Sequence, residues 1–282
     1  MADNPRNIAK AEAAIKNIYV GEETPPMWPA WLYAASAISG AAVGFVLGVI
    51  GGGGSILAIP LLLYFAGLAT LTDLNTAVHL AVGSTALAVG ANALANFLMH
   101  WRRGNVSPRG AAVFSAAGVP AAWAGAWLGK ATRGEVLLAA LGAAMVALSI
   151  WVLKRRAAGG RQLNLAKAGA GGAAVGFLSG FLGIGGGFLV APALMWAGLD
   201  VKRAVGTSLA AVAAFGLTTA AEYATSGYLD PLISLAYLAG GVAGGAAGVA
   251  IAAKAPREKI AIAYAAVLAA VGIYTIIKAL KP

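Results

Sequence analysis

GFLSGFLGIGGG, residues 176–187, occurs in this chain in a second version, GFVLGVIGGGGS, residues 44–55. The two stretches lie 132 positions apart, and each leads to a proline, Pro60 in the first copy and Pro192 in the second. Six positions of the first copy, 44, 48, 51, 53, 54 and 60, match the second as glycine or proline. An ordered block that recurs at a constant spacing predicts an internal structural repeat.

A second block follows each glycine-rich stretch. VHLAVGST, residues 78–85, corresponds to VKRAVGTS, residues 201–208, at an offset of 123, so the first copy carries nine extra residues around 69–75. Two blocks that recur in the same order are more than a Gly/Ala-rich composition produces by chance.

The composition indicates a membrane protein. The 282 residues are 60% hydrophobic and 11% charged, with a mean hydropathy of +0.80. Soluble domains are about one quarter charged, so we expect the lipid bilayer to surround most of this chain. The lack of cysteine excludes disulfides and thiol chemistry. We predict no metal and no cofactor, because His79 and His100 are too far apart on one helix to share an ion.

Each half of the chain predicts five apolar segments. They span 28–50, 55–69, 76–100, 110–129 and 135–153 in the first half, and 168–182, 188–199, 203–226, 231–252 and 260–279 in the second. Segments 55–69 and 188–199 are too short to cross a hydrocarbon core of about 30 Å. We therefore predict an all-α polytopic bundle of two repeats, each with a half-helix hairpin broken at the glycines, and the charge distribution favours inverted repeats.

This pattern predicts four regions. An amphipathic or flexible tail covers 1–27, the first transmembrane repeat 28–153, a basic cytoplasmic linker 154–167 and the second repeat 168–282. The net charge of +10 comes from Lys and Arg between apolar segments, which favours the positive-inside rule over nucleic-acid binding. We expect a multi-pass protein of the bacterial cytoplasmic membrane.

Charge also bears on the topology. If each short segment turns back, the repeats are inverted, and Lys and Arg divide 13 to 4 between the two sides when the tail is left out. If each short segment continues the preceding helix, the repeats are parallel and the division is 10 to 7. The positive-inside rule favours the inverted form, although counting the tail makes both divisions 13 to 7.

The glycine turns predict an anion site. A broken helix survives in a membrane where it lines a cavity or is buried in protein, and the N–H groups of the following half-helix are free to bind an anion. The predicted substrate-binding residues here are Gly52, Gly53, Gly54, Ser55, Gly185, Gly186, Gly187 and Phe188. The alternative, that glycine only allows close packing, suits Gly44, Gly48, Gly176, Gly180 and the stretch 240–248 better.

Duplicated hydroxyls provide further candidates. Ser84-Thr85 and Thr207-Ser208 follow Val-Gly in both copies. They either donate to the same anion or bond back to their own helix carbonyls, and both interpretations stay open.

Other polar residues within apolar segments are candidates for coupling or for the transport path. These are Glu222, Asn92, Asn96, His79, Lys202 and Arg203. An acid at membrane depth is a functional candidate by default, so Glu222 is a candidate proton carrier unless it lies in water at its helix end. The two asparagines could instead bond between helices, and the two cations could anchor the interface.

The paired blocks resemble the sulfite exporter family named for TauE and SafE. The second half fits best, through 176–192 and 204–208, whereas the first half has Ser84-Thr85 in reversed order and the insertion. The resemblance implies a transporter of sulfite, a sulfonate such as sulfoacetate, or thiosulfate.

We therefore expect a secondary transporter, an exporter, that holds a small anion between the two turns by alternating access, with protons as a candidate coupling ion. The alternatives are an anion channel and a structural membrane protein. An intramembrane enzyme is disfavoured, because the sequence has no nucleophile–base pair. A homodimer stays open, since the stretch 240–248 could pack within the chain or against a second copy.

Overall fold

A computed structural model describes residues 28–50, 52–154, 162–252 and 257–280. The predicted tail 1–27 lies outside the described residues. These residues form helices with no strand among them, and seven of the helices are long and apolar enough to cross a membrane. The predicted all-helical membrane fold is confirmed.

The described part of the chain contains ten α-helices in this order. They are α1 (Ala30–Ile50), α2 (Ala58–Pro60), α3 (Leu74–Arg102), α4 (Pro108–Lys130), α5 (Gly134–Lys154), α6 (Leu165–Leu182), α7 (Gly187–Trp196), α8 (Val201–Ala224), α9 (Pro231–Ala252) and α10 (Arg257–Leu280).

Polar side chains fix the starts of the long helices. The carboxylates of Asp73 and Asp200 accept from backbone N–H groups three residues on, which begins α3 and α8. Ser107 and Asn164 do the same for α4 and α6. Each cap satisfies a donor that has no acceptor within its helix.

The second short segment turns back, as predicted. The Asn164 N–H, just before α6, donates to the Ala197 carbonyl, just after α7, at 2.8 Å. The Lys167 ammonium lies 5.2 Å from the Trp196 ring centre. Because the start of α6 meets the end of α7, these two helices form a hairpin whose tip is the glycine-rich turn.

The first short segment also returns along the helix before it, but not as an α-helix. It begins as a 3-10 helix (Gly52–Leu57), continues through α2, and ends as a π-helix (Leu61–Phe65). A Cβ on Gly67 would lie 3.0 Å from the Trp31 ring at the start of α1. The short half-helix expected over 55–69 is present as the apolar helix Ser55–Thr70, and its turns are 3-10, α- and π-helical in succession.

The two long central helices run in opposite directions. Gly83 of α3 lies against Tyr223 of α8, and Gly90 of α3 lies against Gly216. Helices α5 and α10 are antiparallel too, since Gly142 lies against Ile276 and Gly272 against Met145. In both pairs, helices that occupy the same place in the two halves of the sequence have opposite directions.

Two further helix pairs are parallel and packed through glycine. Gly44 of α1 lies on the backbone of Gly241 in α9, and Gly176 and Gly180 of α6 lie on Gly118 and Ala122 in α4. A Cβ at Gly44, Gly176 or Gly180 would overlap a neighbouring carbonyl, which confirms the packing interpretation for these three glycines. Gly240 and Gly244 pack on α1 in the same way, so this face is used within the chain.

Hydrogen bonds define two ends of the bundle. At the first, called the Ser107 end, the start of α4 meets the start of α8, and the start of α6 lies beside them. At the second, called the Asp230 end, the starts of α3, α5 and α9 meet the ends of α4 and α8.

Candidate anion-binding site

The glycine-rich turn between α6 and α7 has a left-handed backbone. The φ angles of Gly183, Gly185 and Gly186 are 70°, 62° and 67°. Side chains other than glycine adopt this region only with strain, so the glycines are required by the turn itself. Between them, Ile184 is buried and anchors the turn in the core.

This turn lies near the middle of the bundle. A Cβ on Gly185 would lie 3.5 Å from a methyl of Val89 in α3 and 3.6 Å from a methyl of Val212 in α8. These two valines are 123 positions apart, the offset of the second repeated block. The turn therefore packs against α3 and α8 at the point where these two central helices cross.

The start of α7 presents backbone N–H groups at this position. The first hydrogen bonds of the helix run from Leu189 and Val190 to the Gly186 carbonyl, at 2.9 and 3.1 Å. The N–H groups of Gly187 and Phe188 come before these bonds and have no acceptor within the helix. An α-helix N-terminus carries about half a positive charge, which favours an anion.

A hydroxyl stands beside this helix start. Ser179 is 0% exposed, and its Oγ has no hydrogen-bond partner among the described residues. A Cβ on Gly186 would lie 2.8 Å from the Ser179 Oγ. The Ser179 hydroxyl therefore lies against Gly186, the residue that caps the start of α7. A buried hydroxyl without a partner is costly, so this one is suited to a ligand that accepts its hydrogen.

The first glycine-rich stretch offers a different surface. Gly52–Leu57 is a 3-10 helix of six residues and α2 has only three, so no extended α-helix begins there. Ser55 is fully buried. Its position in the second copy is taken by Gly187, and Leu47 stands where the second copy has Ser179.

The structure does not bring the two hydroxyl blocks together. Ser84 Oγ accepts from the Asp230 N–H at 2.9 Å, and Thr207 Oγ1 accepts from the Ser107 N–H at 2.9 Å. Each hydroxyl thus holds the first residue of a helix at one end of the bundle. Thr85 and Ser208 donate to carbonyls of their own helices, at 2.6 and 2.8 Å, which is the back-bonded alternative.

The two candidate asparagines, Asn92 and Asn96, bond to each other within α3. Asn96 Nδ2 donates to the carbonyl of Asn92 at 2.9 Å and to its side-chain oxygen at 3.1 Å. Lys202 and Arg203 are exposed at the start of α8, and Arg203 approaches Asp200 at 3.9 Å. This placement suits interfacial anchors rather than ligands of the central turn.

Glu222 has a fixed partner at the Asp230 end. Its carboxylate lies 2.8 Å from the Lys130 ammonium, and the two side chains are only 9% and 18% exposed. Lys130 also donates to the Glu222 carbonyl and to the Thr225 hydroxyl. His79, at the same end, is buried between the rings of Tyr223 and Tyr228.

A comparison with family models decides the class of the protein. The model described as sulfite exporter TauE/SafE matches residues 36–275. The chain belongs to the sulfite exporter TauE/SafE family. This range contains both glycine-rich stretches, both hydroxyl blocks and all the candidate residues discussed above.

Curated relatives agree with this TauE/SafE assignment. A probable membrane transporter protein of Xylella fastidiosa (strain 9a5c) is 39% identical over 248 residues, which cover 84% of this chain and 92% of that protein. The probable membrane transporter protein YunE of Bacillus subtilis (strain 168) is 27% identical over 261 residues, covering 83% and 94%. No solved structure matches the chain. The protein is thus a multi-pass membrane transporter.

One large apolar groove on this TauE/SafE protein is not suited to an anion. It has a volume of about 720 Å³ and lies between α5, α6 and α7. Its lining includes Trp151, Leu178 and Trp196 but no charged or hydroxyl-bearing side chain. An anion placed there would lose its hydration and would meet no charged or hydroxyl-bearing side chain.

Sequence reasoning missed Ser179, the residue that gives the central turn its hydroxyl. The predicted hydroxyl candidates were those present in both copies of the repeat, and the first copy has Leu47 at the position equivalent to Ser179. The signal was present: a serine between Gly176 and Gly180 on a face otherwise made for close packing.

Proposed function

We propose that this TauE/SafE protein is a secondary transporter that exports a small sulfur oxyanion such as sulfite, a sulfonate or thiosulfate, and that the anion binds at the start of α7. The observation that carries the proposal is the partnerless, fully buried Ser179 hydroxyl beside the Gly186 cap. Together with the N–H groups of Gly187 and Phe188, it forms a set of neutral donors in a dry environment.

Neutral donors suit this class of substrate. The anion gives up its hydration on entering the bundle and needs several hydrogen bonds in return. Backbone N–H groups and a hydroxyl provide them without a fixed counter-charge, so the anion is also able to leave. Residues Gly185–Gly187 and Phe188 of the predicted site are kept in this proposal, and Ser179 is added.

The helix directions support alternating access between inverted repeats. Helices α3 and α8 hold the same place in their repeats and run antiparallel, as a two-fold axis in the membrane plane requires. The bonds Ser84–Asp230 and Thr207–Ser107 are a matching pair at opposite ends. Rocking of one repeat against the other would open one end while the equivalent contact at the other end stays closed.

The distribution of charge supports an orientation. Arg102, Arg103 and Arg109 border the connection at the Ser107 end, and the basic stretch 154–167 leads into α6 at that same end. By the positive-inside rule, the Ser107 end faces the cytoplasm of a bacterial cell.

The test is flux in proteoliposomes that contain the purified full-length protein. Sulfite and methanesulfonate serve as probes, and we expect saturable uptake of at least one. A hydrogen bond to a charged group contributes about 1.5–3 kcal/mol, so Ser179→Ala should raise the half-saturating concentration about tenfold or more.

Ser36→Ala is the matched control. Ser36 is also fully buried and without a hydrogen-bond partner among the described residues, but it lies in the first half of α1, away from the turn. We expect it to leave the half-saturating concentration unchanged. Equal effects of the two substitutions would remove Ser179 from the site, and flux that does not saturate would favour the channel alternative.

A further inference from the structure

A second group of buried polar atoms lies between the central turn and the Asp230 end. His79 of α3 is 2% exposed, and its Nδ1 has no hydrogen-bond partner among the described residues. The same is true of the hydroxyl of Tyr223 in α8, which is fully buried. The two rings lie 5.9 Å apart, centre to centre.

A third partnerless atom extends this group towards the centre. Thr219 lies one helical turn before Tyr223 on the same face of α8, and its buried Oγ1 also lacks a partner among the described residues. A Cβ on Gly129 would lie 3.2 Å from the Tyr223 oxygen and 2.6 Å from the carbonyl of Phe181, near the end of α6. The group therefore runs beside the helix that leads into the glycine turn.

Of the ionisable groups near Tyr223, His79 is the one that is left free to bind and release a proton. Asp73 at the start of α3 and Glu135 at the start of α5 interact with it electrostatically, and Thr132 approaches it through its backbone. Tyr228 from the connection before α9 packs on its ring at 5.1 Å. Glu222, the carboxylate next to Tyr223, is already paired with Lys130, so its charge is compensated within the fold.

We propose that His79 is the proton-binding site that couples transport to the pH gradient, with the hydroxyls of Tyr223 and Thr219 as its path towards the anion. His79 Nδ1 accepts a proton from a hydronium ion and leaves a water molecule. The proton passes to water on the side where the anion is released, so that one proton and one anion cross together, and this movement is outward when the outward anion gradient exceeds the inward proton gradient. This inference rests on the transport function proposed above.

Charge gives the physical link between the two sites. In a medium that screens poorly, an anion at the start of α7 favours the protonated imidazole, and the imidazolium in turn favours the anion. Because this coupling is reciprocal, each ligand raises the affinity for the other by the same factor.

The experiment separates anion binding from coupling. Proteoliposomes are loaded with methanesulfonate, whose charge does not change near neutral pH, and two rates are measured with labelled methanesulfonate. Exchange at equal pH requires the anion site. Accumulation driven by an imposed pH difference also requires the proton site, and with one proton per anion it reaches about tenfold per pH unit.

His79→Gln keeps the size and hydrogen bonding of the side chain but cannot titrate. We expect this variant to keep exchange and to lose the accumulation driven by the pH gradient. Tyr223→Phe should slow that accumulation and keep exchange as well. His100→Gln is the matched control, because His100 is the other histidine and its Nδ1 is also unpartnered, but it lies at the Ser107 end. It should keep both rates.

Two results would overturn the proton site alone: exchange by the unaltered protein with no response to the gradient, or full accumulation by His79→Gln. Unaltered, folded protein that shows no exchange would instead overturn the proposed function, and this inference with it.

Discussion

At the second glycine-rich stretch the backbone turns through three left-handed glycines and enters a ten-residue α-helix, whereas at the first it enters a 3-10 helix that gives way to a π-helix. The two stretches share their glycine pattern and their proline. The difference teaches that a repeated glycine pattern permits a break without fixing its form. Only the second break combines an α-helix N-terminus with a buried, partnerless hydroxyl, so the anion site is centred on one repeat.

The largest expected effect comes from placing a side chain in the left-handed turn. In Gly183→Ala the new Cβ would overlap the side chain of Val82, and φ is 70°. Backbone strain of about 1–2 kcal/mol and overpacking of about 1–3 kcal/mol together predict a loss of about 2–5 kcal/mol in the free energy of unfolding. Thermal unfolding in detergent measures the loss.

Two control variants separate the contribution of backbone strain from that of overpacking. Gly104→Ala has the same strain, with φ of 69°, but no atom within 4 Å of the new Cβ, so it should cost the strain alone. Gly53→Ala, in the 3-10 helix, should avoid the strain. Equal losses for Gly183→Ala and Gly104→Ala would show that Val82 moves aside without cost.

A smaller effect is expected at the two hydroxyls that hold the helix starts. Ser84→Ala and Thr207→Val each leave a backbone N–H without its acceptor, at Asp230 and Ser107, which predicts a loss of about 1–3 kcal/mol in the free energy of unfolding. The half-saturating concentration for methanesulfonate should stay within about twofold.

Thr85→Val is the control for this pair, because the Thr85 hydroxyl donates to carbonyls of its own helix, those of Ala81 and Val82. It should change stability little. A tenfold rise in the half-saturating concentration for Thr207→Val, with stability unchanged, would return Thr207 to the anion site.

The smallest effect is expected from moving the hydroxyl to the first turn. Leu47→Ser gives the first copy the serine of the second, but no extended α-helix begins beside it. The half-saturating concentration should stay within about twofold of the unaltered protein, and Leu47→Ser should not rescue Ser179→Ala. Rescue in the double variant would mean that the two turns bind the anion equivalently.

Much of the fold was predictable because the bilayer imposes simple rules. Length and hydropathy located the spans and the short segment 188–199, and the charge distribution favoured its turning back, which the bond between Asn164 and Ala197 confirms. Gly176 and Gly180 were assigned to packing for the correct reason, since only a residue without Cβ fits against the backbone of α4.

The candidate site was less predictable from the sequence, because the role of a hydroxyl or a carboxylate depends on the groups that surround it in the folded protein. Ser84 and Thr207 were placed with the anion for their duplication, yet each reaches a helix start at its own end of the bundle. Glu222 was singled out as an acid in an apolar segment, and its partner Lys130 lies on another helix. These partners are 92 or more positions away in the chain, beyond the reach of any local pattern.

The sequence by itself determined a helical membrane fold with two glycine breaks, because hydropathy, helix length and the conformational freedom of glycine are local properties, and its paired motifs carried the resemblance to the TauE/SafE family. Tertiary structure alone decided which break becomes a left-handed turn, which hydroxyls find partners and which stay free. The reason is that a buried polar atom is left without a partner only by the way all the surrounding helices pack, and His79 of α3 and Tyr223 of α8 meet across 144 positions of the chain.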